Sequence, residues 1–443
     1  MSTQGIFSRQ ASLIGFGSIF RQMGIWEVIK SQVHIQQKIR RHDPLDKLLD
    51  VFLTILAGGQ GIVESNTRVR PDAALQKAFG RTGCAEQSTL SRTLNACTPE
   101  TVEQLRSAIQ VIVRQHGQCY RHDYAKEWQI LDVDMTGLLA GEQCEGAHKG
   151  YFAHQPGKRG RQLGRVLASR YGELVCERLY PGQRQLEHSL VELVEAAEET
   201  LELEKSQVLR TILRTDGGAG TDANIAWCLR RGYQLMTKMH NWARAKRLAS
   251  PLTEWHVDTK VPEREFAWVT QPIVYARPTR QIAIRRRKVN KHHEPVWHYQ
   301  VLVTTLTDPM LFDLLGQPLP DPLEPASVLR AIAHVYDLRD GALETANRND
   351  KQGLGLSHRN KRSFAAQEIM TLLAQLAHNF TTWMRHRLSH HDPRLLKLGH
   401  RRMVRDVFQV DGTVTFDHDD RLLAVQLNPS HPYAHACNSV LQE

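Results

Sequence analysis

The spacing of apolar residues changes character three times along the chain. After Pro44, the positions Leu45, Leu48, Leu49, Phe52, Leu53 and Leu56 recur at helical intervals, and Thr98-Pro99 reads as an N-cap followed by proline in the first helical turn of a helix reaching about Gln115. Between them, Pro71 to Phe79, a turn bearing Gly83 and Gln87 to Leu94 have the layout of a helix-turn-helix whose second helix would offer Ser88, Thr89 and Arg92 to DNA. Two short helices around a glycine also occur in ordinary helical domains. Residues 1–125 are therefore expected to form an α-helical N-terminal domain, with DNA binding as its candidate role.

From about Glu127 the pattern becomes short and strand-like, at residues 128–134, 164–170, 174–180, 208–213 and 233–238. A helix is expected between Glu187 and Glu204, where seven glutamates alternate with an apolar stripe, and another from Asp222 to Arg231. Strands interleaved with helices predict a mixed α/β sheet over residues 126–250. Residues 251–318 return to strands alone (266–275, 281–287 and 297–306), an all-β insertion, and the proline-rich run Pro318 to Pro325 leads back to helices in 319–400. There Ala366, Ile369, Met370, Leu373, Leu376, Ala377 and Phe380 mark one buried stripe of a helix from Ser363 to Leu388. The tail, 401–443, reads as a strand pair and an irregular end.

Composition narrows the class. The chain has 443 residues, 41% of them hydrophobic, enough for a large core and against global disorder. Its longest uncharged apolar stretch, Val51 to Val63, is well short of the ~20 residues that span a bilayer, and Met1 to Gln10 carries no signal-peptide core. A soluble, cytoplasmic protein with no membrane partner is expected. Seven scattered cysteines with no C-x-x-C pair read as reduced thiols. The net charge of +10 permits a polyanionic partner without establishing one. Its distribution says more. Between Gln271 and His293 there are seven basic residues, including Arg285, Arg286, Arg287, Lys288 and Lys291, and no acidic one. That stretch is either a positive edge laid along a phosphate backbone or a solvated strand pair. The pairs His292-His293 and His390-His391 read as solvated basic surface, since neighbours on a strand point opposite ways.

Three carboxylates stand where chemistry is possible. Asp132 and Asp134 alternate on one strand and so project, with Thr136, from the same face. Asp216 ends a strand and is followed at once by Gly217-Gly218. Glu344 sits on a predicted helix with Lys351 seven residues later, a rotation of about 700° that returns both to one face. Converging oxygen ligands of this kind suit a pair of Mg²⁺ ions acting on a phosphodiester. Taken singly, each has an ordinary alternative: Asp-x-Asp serves sugar-nucleotide enzymes, and Asp-Gly-Gly is a common turn.

Four stretches, spanning about residues 128–385, together resemble the DDE-type insertion-sequence transposases of bacteria, in the branch with a Tyr-Arg-Glu-Lys signature. They are Leu131 to Gly137, Leu213 to Gly218, Tyr336 through Arg339 and Glu344 to Lys351, and Arg359 to Gln367 leading to Asn379. The resemblance implies an RNase H-like mixed sheet core interrupted by an all-β insertion. It implies Asp134, Asp216 and Glu344 as catalytic ligands of two Mg²⁺, with Mn²⁺ a possible substitute and Asp132 the fallback for the first position. Tyr336, Arg339 and Lys351 would contact phosphates, with Arg285, Arg286, Arg287 and Lys288 on the DNA as well. Trp297 would be either a stacking platform for a flipped base or a strand residue of the sheet core. The expected activity is cleavage of terminal inverted repeats in double-stranded DNA and strand transfer into target DNA by a homodimer. A domesticated DNA-binding relative, a nuclease that does not join strands, and a glycosyltransferase using Asp132-x-Asp134 are the competing readings. One departure stands out. Four residues separate Arg339 from Glu344 where the pattern usually has three, which in a regular helix turns Arg339 by about 100°. A bulge or helix start at Gly341 would explain it, and Asp340 becomes a rival to Glu344.

Overall fold

The computed structural model describes residues 5–153, 155–289 and 293–442, so Met1 to Gln4, Lys291 and His292 of the stretches above lie outside it. A short strand, β1 (Ile6–Ser8), precedes six helices: α1 (Ala11–Gln22), α2 (Ile25–Gln32), α3 (Pro44–Leu56), α4 (Ala73–Ala78), α5 (Gln87–Asn95) and α6 (Pro99–His116). Their starts are written into the sequence. Asp43, Asp72 and Thr98 accept from the backbone N–H groups of Leu45, Leu75 and Thr101, and Pro44 and Pro99 occupy first-turn positions where no amide hydrogen is needed. The two short helices of the expected helix-turn-helix are α4 and α5.

The large sheet begins with β2 (Gln129–Leu139), β3 (His148–Lys149), β4 (Arg159–Ala168) and β5 (Glu173–Pro181), continues after α7 (Leu190–Leu201) and α8 (Lys205–Leu209) with β6 (Thr211–Thr215), and after α9 (Asp222–Arg231) with β7 (Gln234–Lys238). Then come α10 (Trp242–Ala249), β8 (His256–Val257), β9 (Arg264–Trp268), β10 (Arg280–Val289) and β11 (Pro295–Thr304). The strand order is β3-β4-β2-β6-β7-β11-β10-β9-β8, with β5 also on β4. β2 runs antiparallel to β4 and parallel to β6, which runs parallel to β7. The result is a mixed α/β fold around one large mixed sheet.

Three expectations are corrected here. The strand expected at 208–213 is divided, because Gln207 Oε1 accepts from the Glu204 N–H at 2.8 Å and starts α8, so β6 begins only at Thr211. The strands of 251–318 are continuous with the main sheet, since β11 pairs antiparallel with β7, and the stretch ends in a helix, α11 (Asp308–Leu314). The acidic helix is not solvated throughout: Glu198 turns inward, pairs with Arg231 and accepts from the Tyr233 hydroxyl at 2.7 Å.

Beyond α11 lie α12 (Pro325–Arg339), a π-helical turn (Asp340–Glu344), α13 (Thr345–Gly353), α14 (Phe364–Ser389) and α15 (His400–Arg402). The tail forms β12 (Gly412–Phe416) and β13 (Leu422–Leu427), which recruit β1 into a small sheet, and it closes with α16 (Ala434–Gln442) where an irregular end was expected. α14 is buried well beyond a single stripe. The Phe380 ring meets Phe20 of α1 edge-on at 5.4 Å, while Asn379 exchanges hydrogen bonds with the Leu174 backbone of β5 at 2.8 and 2.9 Å. Gln375 and Asn379 are tolerated inside because the β5 backbone satisfies them. All seven cysteines are free. Among the described residues, no helix is long and apolar enough to cross a membrane.

Candidate active site

The β2–β6 ladder aligns Asp132 with Arg214 and Val133 with Thr215, so the next step places Asp134, midway along β2, beside Asp216, just past the carboxyl end of the parallel strand β6. Open α/β sheets bind ligands at such ends. Asp216 Oδ1 accepts from the Gly218 N–H at 2.8 Å, and a Cβ at Gly218 would stand 2.9 Å from that oxygen, which is why the turn carries glycine there. Asp132 shares the strand face of Asp134 but not its surroundings. Arg214 donates to it at 2.7 and 2.9 Å and the Ser169 hydroxyl adds a third bond, so its charge is neutralised inside the protein.

Glu344 arrives from the other side, at the end of the π-helical turn. Arg339 Nη2 lies 3.1 Å from Asp134 Oδ1 and Nη1 lies 3.4 Å from Glu344 Oε1, so one guanidinium links the strand to the helix. The expected 100° misdirection of Arg339 does not occur. A π turn holds one residue more than an α turn, and it absorbs the extra position that the spacing displays. Gly341 does not force this turn: its φ is negative and a Cβ there would meet nothing within 4 Å. Glu344 keeps 55% of its side chain exposed, facing the cavity, while Asp340 starts the turn and is exposed on the same cavity wall.

Tyr336 and Arg339, expected at phosphates, are only 2% and 1% exposed. The Tyr336 hydroxyl donates to the Thr215 carbonyl at 3.1 Å, directly before Asp216, so both residues brace the carboxylates while lining, with little exposed surface, the cavity that Asp216 and Glu344 share. Lys351 is half-buried in the wall of a cavity of about 960 Å³ together with Asp134 and Asp216. A second cavity of about 550 Å³ takes in Asp216, Glu344, Lys238 and, from the β10–β11 ribbon, Arg286 and Lys288. The basic run therefore splits by strand face. Arg286 and Lys288 point to the cavity. Arg285 lies on the opposite face, paired with Glu265 and stacked 4.2 Å from the Trp255 ring and 4.4 Å from the Trp297 ring. Arg287 shares that opposite face and is exposed. Trp297 thus lies away from the cavity, its ring covered by Arg285. Among the aromatic residues lining these cavities, Tyr151 and Phe152 line the larger one, while Trp242, 74% exposed at the start of α10, is common to both walls. Its sequence signal is slight: a tryptophan just after the Asn241 cap, four residues beyond a strand.

Burial pushes the Asp134 carboxyl up to about 6; Arg339 counters this, and the like charges of Asp216 and Glu344 reinforce it. Burial works against the Arg339 charge, but Asp134 foremost among its neighbours holds its pKa above the usual arginine value. Burial lowers Lys351, helped by Arg165 and opposed by Asp134. Asp134, Asp216 and Glu344 carry more negative charge than the one guanidinium among them balances, an all-oxygen setting of the kind hard divalent ions prefer, although their ligand atoms do not all lie within 4.8 Å of one another. A separate buried cluster, Asp350, His378 and His400, has ligand atoms within 4.8 Å of one another but is not part of this set.

Two aspartates on adjacent parallel strands, faced by a glutamate from a helix, define an α/β enzyme of the metal-dependent phosphoryl-transfer class. The family model Transposase DDE domain group 1 matches residues 8–443, and the chain belongs to that family: it is a DDE transposase. No curated protein matches the chain. Among solved structures it is similar to piggyBac transposase in a synaptic complex with hairpin DNA, at 11% identity and a TM-score of 0.49, over 92% of this chain and 82% of that one.

Proposed function

We propose that this transposase cuts and pastes a bacterial insertion sequence, cleaving the terminal inverted repeats of double-stranded DNA and joining the freed ends to target DNA as a homodimer in the cytoplasm, on the nucleoid. The observation that supports the reading is the Arg339 guanidinium bridging Asp134 and Glu344 next to the strand end that bears Asp216. The strand order β5-β4-β2-β6-β7, three antiparallel strands followed by two parallel ones, supports an RNase H-like core carrying the β10–β11 ribbon as its insertion. Tyr336, Arg339, Glu344 and Lys351 fit the Tyr-Arg-Glu-Lys signature, the first two as braces.

Asp134, Asp216 and Glu344 would hold two Mg²⁺, with Mn²⁺ a substitute, whose chemistry when bound is Lewis-acid polarisation of the phosphodiester. The chain's own contribution is placement. Arg339 keeps the glutamate turned to the aspartates. Lys351, Arg286 and Lys288 set cationic charge where the scissile strand would run, and Trp242 offers a ring on which an unstacked base would rest. End recognition would fall to the N-terminal helices. There Thr89 and Arg92 of α5 join Lys38, Arg40, Arg41 and Arg70 around a cleft of about 470 Å³, a concentration of positive charge suited to a DNA backbone.

The test is a cleavage assay on DNA carrying the element's terminal repeat. Asp134→Ala, Asp216→Ala and Glu344→Ala should each abolish Mg²⁺-dependent cutting and leave end binding nearly intact. Full cutting by any one of them would remove that residue from the site, and specific binding without cutting by the unaltered chain would overturn the catalytic reading.

A further inference from the structure

Asp134 has a second fixed partner. Asn347, on α13 three residues beyond Glu344, donates from Nδ2 to Asp134 Oδ2 at 3.2 Å, while Arg339 holds Oδ1. The amide is itself oriented, because its Oδ1 accepts from Arg165 Nη1 at 2.9 Å. A guanidinium only donates, so the amide oxygen must face Arg165 and the NH₂ must face the aspartate.

Arg165 is the direct cross-strand neighbour of Asp134 in the β2–β4 ladder and is completely buried, yet among the described residues no ion pair joins the two. Its charge is taken instead by Glu177, its neighbour on the other side in β5, and by Asp350, 2.7 Å away. Asp350 is anchored in turn by Nδ1 of His378 and of His400, each at 2.8 Å, and the far nitrogens of these rings rest on the Gly172 carbonyl and the Thr382 hydroxyl. Asp350, His378 and His400 have the spacing of metal ligands, but the Arg165 guanidinium already occupies the Asp350 carboxylate with a positive charge that would repel a divalent ion. The cluster is a rigid footing for Arg165.

A second arginine placed directly on Asp134 would cancel the negative charge that attracts a cation. A neutral amide in between transmits the orientation without the charge. It also ties the helix bearing Glu344 to the strand bearing Asp134 from the side opposite Arg339. We propose that Asn347 is a positioning residue for Asp134: a neutral relay through which the buried Arg165 footing fixes the plane of the carboxylate. The proposal rests on Asp134 being a cation ligand, and outer-shell partners of this kind change metal affinity by about 10- to 100-fold when lost.

The test uses the full chain with Mn²⁺ as the probe, reading bound ion by electron paramagnetic resonance, alongside DNA-end binding and metal-free melting. Asn347→Ala should weaken Mn²⁺ binding by about tenfold or more, with end binding unchanged and cutting recovering as Mn²⁺ is raised. Asn347→Ser, which leaves less of a void, carries the same expectation should the alanine variant fail to fold. If both folded variants bind Mn²⁺ within about twofold of the unaltered chain while Asp134→Asn does not, the relay is refuted and the site reading stands. If Asp134→Asn itself binds Mn²⁺ normally, Asp134 is no ligand and both fall.

Discussion

Asp134→Asn should make the metal-free protein more stable at neutral pH while ending catalysis. The carboxyl is raised from 3.8 to about 6, and two pKa units correspond to about 3 kcal/mol. A carboxyl raised on folding contributes its stability below the unfolded value near 4. That contribution is lost progressively as the pH climbs through about 6, above which the ionised group costs the native state roughly the full amount. An asparagine removes the buried charge but gives Arg339 and Asn347 only an amide in return, a loss of about 1 kcal/mol, so a net gain of about 1–2 kcal/mol is expected at pH 7.5. For a chain of this length that is a rise of about 1–2 °C in melting temperature, read by calorimetry in EDTA for both proteins between pH 4.5 and 7.5. The gap should close toward pH 4.5. Adding Mg²⁺ should stabilise only the unaltered protein, by mass action at a site the variant has lost. Refutation would be a variant that melts below the unaltered chain at pH 7.5 by as much as at pH 4.5. That result would mean Arg339 and Asn347 fully compensate the buried charge and the site is not strained for cation binding.

Two further outcomes are expected. Glu344→Ala should be severe and Asp340→Ala mild in the cutting assay, because Arg339 turns Glu344 toward Asp134 while Asp340 only starts the π turn; the reverse ranking would make Asp340 the third ligand. Arg40→Gln, Arg41→Gln and Arg92→Gln should each lower the slope of log affinity against log salt for terminal-repeat DNA by about one; slopes equal to that of the unaltered chain would take the N-terminal cleft out of the DNA path.

Much of the architecture is local in origin and was therefore readable. Asp43-Pro44 and Thr98-Pro99 set helix starts by chemistry confined to a few residues, and the α9 boundaries at Asp222 and Arg231 follow from a Thr221 cap and a Gly232 stop. Where reading failed, a partner distant in sequence had decided. Period two places Asp132 and Asp134 on one face, and nothing in the strand itself separates them. Arg214, across the ladder, takes one and leaves the other. Trp297 and Trp242 look alike as letters, but Arg285 covers the first and the second is 74% exposed.

The sequence by itself determined the helices that start at Pro44, Pro99, Asp222 and Phe364, most of the strands, the order of the three carboxylates and the signature that runs from Tyr336 to Lys351, because each is set by periodicity, capping or spacing along the chain. The tertiary structure alone decided which aspartate lies beside Asp216, how the extra residue before Glu344 is absorbed, and that Tyr336 and Arg339 are buried braces. A π turn forms when the contacts of Arg339 with Asp134 and Glu344 outweigh the poorer backbone geometry, and the first of those contacts joins residues about two hundred positions apart.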